Sequence, residues 1–168
     1  MKLIRLLGIA LAVGLAALAA YAQGAQVAFG GLQHDSSLPI EITADQLSID
    51  QADGAAMFVG NVLIGQGDMR LAAGKVRVEY SAPEGQATGQ ISRLLASGGV
   101  TLVNGSEAVE AQEAEYSVET GIITLRGNVI LTQGANALSA ERMIVDLNTG
   151  KANLEGRVKT ILQPQGNP

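Results

Sequence analysis

Two short motifs alternate four times along this chain, and an internal repeat of this kind limits the possible folds more than any single motif. The first motif has the form apolar-x-Ala-x-x-apolar-x-apolar, and the second has the form apolar-x-Gly-x-Val-x-apolar. Copies of the first are centred on Ala44, Ala73, Ala111 and Ala140, and copies of the second on Gly60, Gly98, Gly127 and Gly156. One unit is longer than the others, with extra residues between Ser81 and Leu95. Each unit is therefore one supersecondary element that stacks on the next.

The spacing of apolar residues within the motifs predicts β-strands. In residues 58–64 they recur at every second position, which places them on one face of a strand. In the alanine motif the phase changes between the third and sixth positions, as in a strand that bends so that both halves face inward. Gly and β-branched residues in these segments disfavour helix. We predict an all-β fold, an elongated twisted jelly roll or solenoid-like stack of about four hairpin repeats. Its interior is either slit-like or an ordinary closed core.

The N-terminal segment has the features of a secretory signal peptide. Lys2 and Arg5 precede an uncharged apolar run over 6–20, which ends in Ala20-Tyr21-Ala22. This predicts a signal peptide over 1–22, cleavage between Ala22 and Gln23, and export to the periplasm. The alternative is an uncleaved inner-membrane anchor. We further expect a flexible segment over 23–37, one β domain over 38–163 and a disordered tail over 164–168.

Several classes of chemistry are excluded by composition. The chain has no cysteine and a net charge of −5, which argues against thiol redox chemistry and against a nucleic-acid partner. His34 is the only histidine, so no histidine-based triad or zinc site can form. Gly74-Lys75 lacks both the glycine spacing and the Ser or Thr of a phosphate-binding loop. We therefore predict no enzymatic activity, no cofactor and no metal.

Three segments of the sequence resemble a known family. Residues 39–47 (Pro-Ile-Glu-Ile-Thr-Ala-Asp-Gln-Leu), residues 58–62 (Phe-Val-Gly-Asn-Val) and the related residues 125–129 (Leu-Arg-Gly-Asn-Val) resemble the LptA/OstA family of periplasmic lipopolysaccharide transport proteins. The resemblance covers residues 38–163. It implies an OstA-like β-jelly roll that receives lipopolysaccharide from an inner-membrane ABC-transporter complex and binds the lipid A part of it. The lipid then passes to an outer-membrane translocon.

The resemblance also implies that the lipid is bound in the hydrophobic interior. The family's lipid-binding positions match Ile40, Ile42, Leu102, Tyr116 and Val118 in this sequence. Inward positions of the two motifs extend the predicted lipid-binding set to Leu47, Ile49, Phe58, Val62, Ile64, Leu125, Val129 and Leu131.

A linear stack of repeats leaves an unpaired strand edge at each end, here near residues 39–49 and 154–162, and such edges tend to pair with another chain. We therefore predict head-to-tail self-association. The preferred hypothesis is a soluble lipid-transfer bridge between the two membranes. The alternatives are an anchored docking component of the same transport system, a structural β-repeat interaction protein without lipid, and a carbohydrate-acting enzyme on a β-solenoid.

Overall fold

The computed structural model describes residues 25–28, 35, 37–81 and 89–163. Within these residues the secondary structure is β-strand and turn, which confirms the all-β prediction. The strands are β1 (Ala25–Ala28), β2 (Glu41–Thr43), β3 (Gln46–Ile49), β4 (Ala56–Gln66), β5 (Met69–Tyr80), β6 (Ile91–Asn104), β7 (Glu107–Ser117), β8 (Ile122–Gln133), β9 (Asn136–Asp146), β10 (Lys151–Glu155) and β11 (Lys159–Ile161).

All strands belong to one antiparallel sheet in which chain neighbours are mostly sheet neighbours. Strands β4 to β9 follow one another in order, with β2 and β3 both pairing with β4 at one end. At the other end β10 and β11 both pair with β9, and β1 pairs with β10. Strands β2–β3 and β10–β11 are therefore each one strand interrupted at a bend, and together with β4 to β9 they form the bent strands that the repeat predicts.

The bends lie at the glycine motifs. Each has two consecutive residues with positive φ: Gly60-Asn61, Gly98-Gly99, Gly127-Asn128 and Gly156-Arg157. The strand register shifts at the same places, for example between Arg126 and Val129 where β8 pairs with β9. Left-handed backbone is costly for most L-residues and is tolerated best by Gly and Asn. The recurring Gly-Asn-Val of the sequence is therefore the bulge that bends the sheet.

The alanine motif contacts the glycine motif across each bend. The Asp45 amide donates to the Gly60 carbonyl at 2.9 Å, and the Glu141 amide donates to the Gly156 carbonyl at 3.0 Å. At Gly127, with φ 82°, an added Cβ would lie 2.4 Å from Oε1 of Gln112. The residue after the motif alanine thus occupies the space that a side chain at the glycine would need.

The aligned bends divide the sheet into two leaves. Leaf 1 consists of residues 41–43, 62–73, 100–111, 129–140 and 159–161, and leaf 2 of residues 25–28, 46–59, 75–97, 113–126 and 142–155, as far as they are described. One hydrophobic cluster joins side chains of both leaves. The hairpin turns lie at the side away from the bends, which we call the mouth.

Burial follows the predicted change of phase. On β5, Leu71 and Ala73 are buried before the bend, and Val76 and Val78 are buried after it. Both halves of the strand therefore face the interior. Each large apolar side chain buried in this way stabilises the fold by about 1.5–3 kcal/mol.

The N-terminal segment differs from the prediction. Ala25–Ala28 lies in the stretch predicted to be flexible, and it forms β1 instead because the outer edge of β10 offers unpaired backbone groups. The C-terminal edge that we predicted to be unpaired is consequently covered on leaf 2. The signal peptide with its cleavage position, His34 and the tail over 164–168 fall outside the described residues.

Candidate functional site

The candidate site is the interior between the leaves, which is walled by continuous rows of cross-strand neighbours. The row on leaf 1 is Ile64, Leu71, Leu102, Val109, Leu131 and Leu138. A row on leaf 2 is Ile49, Ala56, Val78, Leu94, Tyr116, Ile123, Val145 and Ala152. Because directly opposite residues project from the same face of a sheet, the two rows form facing walls of hydrocarbon.

The structure places nearly all the predicted site residues at this interior. Seven are fully buried, namely Val62, Ile64, Leu102, Tyr116, Leu125, Val129 and Leu131. Four are partly buried and pack against the same cluster, namely Ile40, Ile42, Phe58 and Val118. Leu47 and Ile49 are in register with these rows but are 57% and 66% exposed. No described strand lies beyond β3 to cover them.

The interior is closed at one end and open at the other. Leu125, Leu131, Met143 and Leu154 are 0% exposed, so self-packing fills the C-terminal half. In the N-terminal half Val62, Val76 and Val78 are also buried, and exposure rises only at the edge, through partly buried Ile42 and Phe58 to exposed β3. The packed core therefore extends from β4 to β10, and the exposed inward residues lie on β3 at the N-terminal edge.

A cleft opens from the N-terminal half at the mouth. It has a volume of about 610 Å³, and its apolar lining includes Leu38, Ile40, Ile91 and Val118. The last three also pack against the hydrophobic cluster, unlike Leu38. Ile40 and Val118, which are 78 residues apart by their numbers, are therefore brought to one opening that leads toward the interior.

One polar contact links the leaves near this cleft. The Tyr116 hydroxyl on leaf 2 donates to Oε1 of Gln66 on leaf 1 at 3.1 Å, and Nε2 of Gln66 donates to the Leu38 carbonyl at 2.9 Å. Burial raises the pKa of the Tyr116 hydroxyl, against a smaller opposite effect of Gln66. The hydroxyl therefore stays protonated at neutral pH and can serve as the donor.

A polar rim, which the sequence analysis did not identify, follows the inner edge of leaf 1 at the mouth. It consists of Gln66, Asn104, Glu107, Gln133 and Asn136, one at the end of each of five strands. Glu107 is only 5% exposed, and its Oε1 accepts a hydrogen bond of 2.6 Å from Nε2 of Gln133. Its Oε2 has no hydrogen-bond partner among the described residues. These positions continue the inward phase of their strands, and that phase is the signal that could have found them.

The outer face of leaf 2 carries a chain of ion pairs. It runs from Asp53 through Arg77, Glu79, Arg93 and Glu115 to Arg126. The Arg93 guanidinium, 2.8 Å from Glu79, holds the pKa of that carboxyl below its usual value, with a smaller contribution from Arg77. This chain of ion pairs links strands β5 to β8 on the side away from the interior.

Two further features, a metal-binding cluster and a membrane-spanning helix, are absent from the part of the chain that the structure describes. It contains no group of three or more His, Cys, Asp or Glu residues that could hold a metal ion. It also contains no helix that is long and apolar enough to cross a membrane.

Comparison with known proteins identifies the family. A family described as LptA/(LptD N-terminal domain) LPS transport protein matches residues 41–151. The chain belongs to this family. Its members are transport components and not enzymes. The match begins at β2 and ends at the first residue of β10, so it covers all four alanine motifs and the first three glycine motifs.

Two individual proteins are similar to this member of the family. An uncharacterized protein of Rhizobium meliloti (strain 1021) is 37% identical over 118 residues, which are 68% of this chain and 60% of the relative. The crystal structure of LptH from Pseudomonas aeruginosa, the LptA homologous periplasmic component of that organism's lipopolysaccharide transport device, matches with a TM-score of 0.67 and 18% identity. It covers 77% of this chain and 99% of LptH, and it shows that the fold is the LptA-like β-jelly roll.

Proposed function

We propose that this protein carries lipopolysaccharide through the periplasm, holds the lipid A acyl chains between its two leaves, and bridges the inner-membrane transporter complex to the outer-membrane translocon. The observation that carries the proposal is the pair of apolar rows that face each other across the bent sheet. Family membership supports the choice of lipopolysaccharide as the ligand.

The physical need for such an interior follows from the acyl chains. Each buried methylene contributes about 0.8 kcal/mol, so one long chain exposed to water would cost on the order of 10 kcal/mol. A carrier must therefore offer apolar surface at every stage of transfer. The leaf rows supply it, and the partly exposed Ile42 and Phe58 offer the surface that is accessible without opening the packed core.

The polar rim is suited to bind the sugar groups of lipopolysaccharide. With acyl chains between the leaves, the sugar groups lie at the mouth beside Glu107 and its amide neighbours. A carboxylate accepts hydrogen bonds only. The free Oε2 of Glu107 therefore favours sugar hydroxyl and amide N–H groups over phosphates.

The first test compares photo-crosslinking residues at two adjacent positions of β2. Ile42 is partly buried against the cluster, whereas Glu41 is exposed on the opposite face. We expect capture of lipopolysaccharide at Ile42 at about ten times the yield at Glu41, since adjacent strand residues face opposite sides. Equal yields at the two positions would contradict binding between the leaves.

We further propose that residues 1–22 are removed after export. Mass spectrometry of the native protein then gives Gln23 as the first residue. A chain that begins at Met1 in the cell would instead support the anchored docking component.

A further inference from the structure

The C-terminal edge of the sheet is occupied by the protein's own N-terminal strand, on leaf 2 only. β1 pairs antiparallel with β10 from Ala25 opposite Leu154 to Ala28 opposite Lys151. On leaf 1, β11 pairs with β9 and has no described strand on its other side. The edge is thus half closed.

β1 runs in the direction that a further strand of the repeat, added after β10, would have. Its first residue is opposite Leu154, close to the bend at Gly156, and its last is opposite Lys151, next to the turn at Gly150. At the other end of leaf 2, β3 also runs from the bend to a turn, from Gln46 to Ile49. β1 therefore lies where β3 of a following copy would lie in a head-to-tail stack.

Burial at the two ends of leaf 2 matches this assignment. Ala152 and Leu154 on β10 are 1% and 0% exposed, whereas Leu47 and Ile49 on β3 are 57% and 66% exposed. All four continue the inward rows of leaf 2. The inward residues of β10, which β1 covers, are therefore buried. Those of β3, which would take the place of β1 in a stack, are exposed.

We infer that β1 is a displaceable closing strand, which holds the C-terminal edge until β3 of a second copy of this chain replaces it. β1 and β3 both have four residues, so on leaf 2 the exchange conserves backbone pairing. A second copy adds pairing of its β2 with β11, and it buries Leu47 and Ile49, which β1 cannot do. The added pairing and burial therefore favour replacement of β1 by the second copy, whereas the pairing of β1 with β10 slows it. This inference depends on the head-to-tail self-association predicted from the sequence, which we propose as the contact by which copies form the bridge of the proposed function.

The test locks β1 in place in the full chain. Ala28→Cys with Lys151→Cys introduces the only two cysteines. Antiparallel partners have Cα atoms about 4.5–5.5 Å apart, which is within the range for a disulfide. We expect an intramolecular disulfide, and at least about a tenfold weaker self-association for the oxidised than for the reduced protein in sedimentation analysis. The single variant Ala28→Cys, under the same oxidant and reductant, is the control.

A second variant shifts association in the opposite direction. Gln26→Pro with Val27→Pro removes two consecutive backbone donors, and one of them faces β10 whichever the hydrogen-bonding phase is. We expect stronger self-association than in the unmodified protein. Disulfides between copies, or equal association of the oxidised and reduced forms, would overturn the closing-strand inference.

The head-to-tail contact is tested separately by Ile49→Asp. If this change abolishes association while the disulfide has no effect, the contact is correct and the closing-strand inference is wrong. The reduced cysteine variant and the proline variant could both stay monomeric at every concentration and still capture lipopolysaccharide. That result would contradict both the head-to-tail contact and the closing-strand inference, but not lipid binding.

Discussion

The two ends of the bent sheet have the same inward apolar pattern but opposite burial. Leu47 and Leu154 are the two ends of a second leaf-2 row of cross-strand neighbours, and they are 57% and 0% exposed. The row is Leu47, Phe58, Val76, Ala96, Ala114, Leu125, Met143 and Leu154. The difference is the presence of a further strand, since β1 lies beyond β10 and no described strand lies beyond β3. Pattern determines which way a side chain faces, whereas neighbouring strands determine whether it is buried.

The two ends also differ in how they are stabilised. The C-terminal half is held by a filled interior, with Leu125, Leu131 and Met143 fully buried. The N-terminal strands also have a packed interior, with Val76 and Val78 buried on β5, and in addition they carry the longer chain of ion pairs, which runs from Asp53 to Arg126 on β8. The outer ion pairs therefore add to the packing of strands β5 to β8, whereas the exposed inward residues Leu47 and Ile49 lie on β3 at the N-terminal edge.

The largest expected effect comes from the same substitution at the two ends. Leu154→Asp buries a carboxylate among apolar side chains and should lower the free energy of unfolding by about 4 kcal/mol or more. Leu47→Asp, at an exposed position, should change it by less than about 1 kcal/mol. Urea unfolding of the two variants measures both values. Similar losses would mean that the two ends do not differ in packing.

This contrast also marks the limit of what the sequence could predict. The period of two correctly places Val129 and Leu131 inside, and the phase change around Ala140 correctly predicts the bend, because both depend on local geometry. The exposure of Leu47 and Ile49 does not follow from the motif pattern, which they share with buried residues, but from their place at the edge predicted near residues 39–49. Only the order of strands distinguishes them.

Non-local pairing accounts for the other differences. Residues 25–28 (Ala-Gln-Val-Ala) lie outside the repeat, and the strand that they form depends on an edge more than a hundred positions away. The polar rim was missed because Gln66 and Glu107 belong to the turns in sequence, although they continue the inward phase of their strands. Their burial depends on the opposite leaf.

The second test asks whether the bend is equally rigid in both halves. Gly127→Ala would bring a Cβ within 2.8 Å of the Cβ of Gln112 at a positive φ, and we expect a loss of about 3 kcal/mol. At Gly60 the corresponding distance to the Cβ of Asp45 is 3.1 Å. Asp45 and Gln112 are both exposed and can both move, so the expected difference follows from the wider Cβ separation at Gly60, and Gly60→Ala should cost about 1–2 kcal/mol. Thermal unfolding gives both values, and a larger loss at Gly60 would reverse the assignment of the rigid half.

The smallest expected effect concerns the ion pairs of the N-terminal half. Glu79→Gln should lower stability by about 0.5 kcal/mol at neutral pH and low salt, since these groups are partly exposed. Because the pKa of Glu79 is lowered on folding, its contribution is complete above the ordinary value of 4.5 and is lost as the pH falls through the lowered value. The variant should therefore lose less stability than the unmodified protein on acidification below 4.5. Parallel curves of stability against pH would assign no role to this carboxylate.

The alternation of the two motifs has a consequence for how such chains can change in length. One alanine-motif strand crosses from leaf 1 to leaf 2, and the following glycine-motif strand crosses back. Duplication or loss of one whole unit therefore preserves the direction of both terminal strands, which can still pair antiparallel between copies. The interior between the leaves becomes longer or shorter by two strands. Gain or loss of a single strand would instead leave two ends that run the same way and can no longer join. Tandem duplication in whole units is thus the route by which a gene for this fold can alter the distance that its product spans.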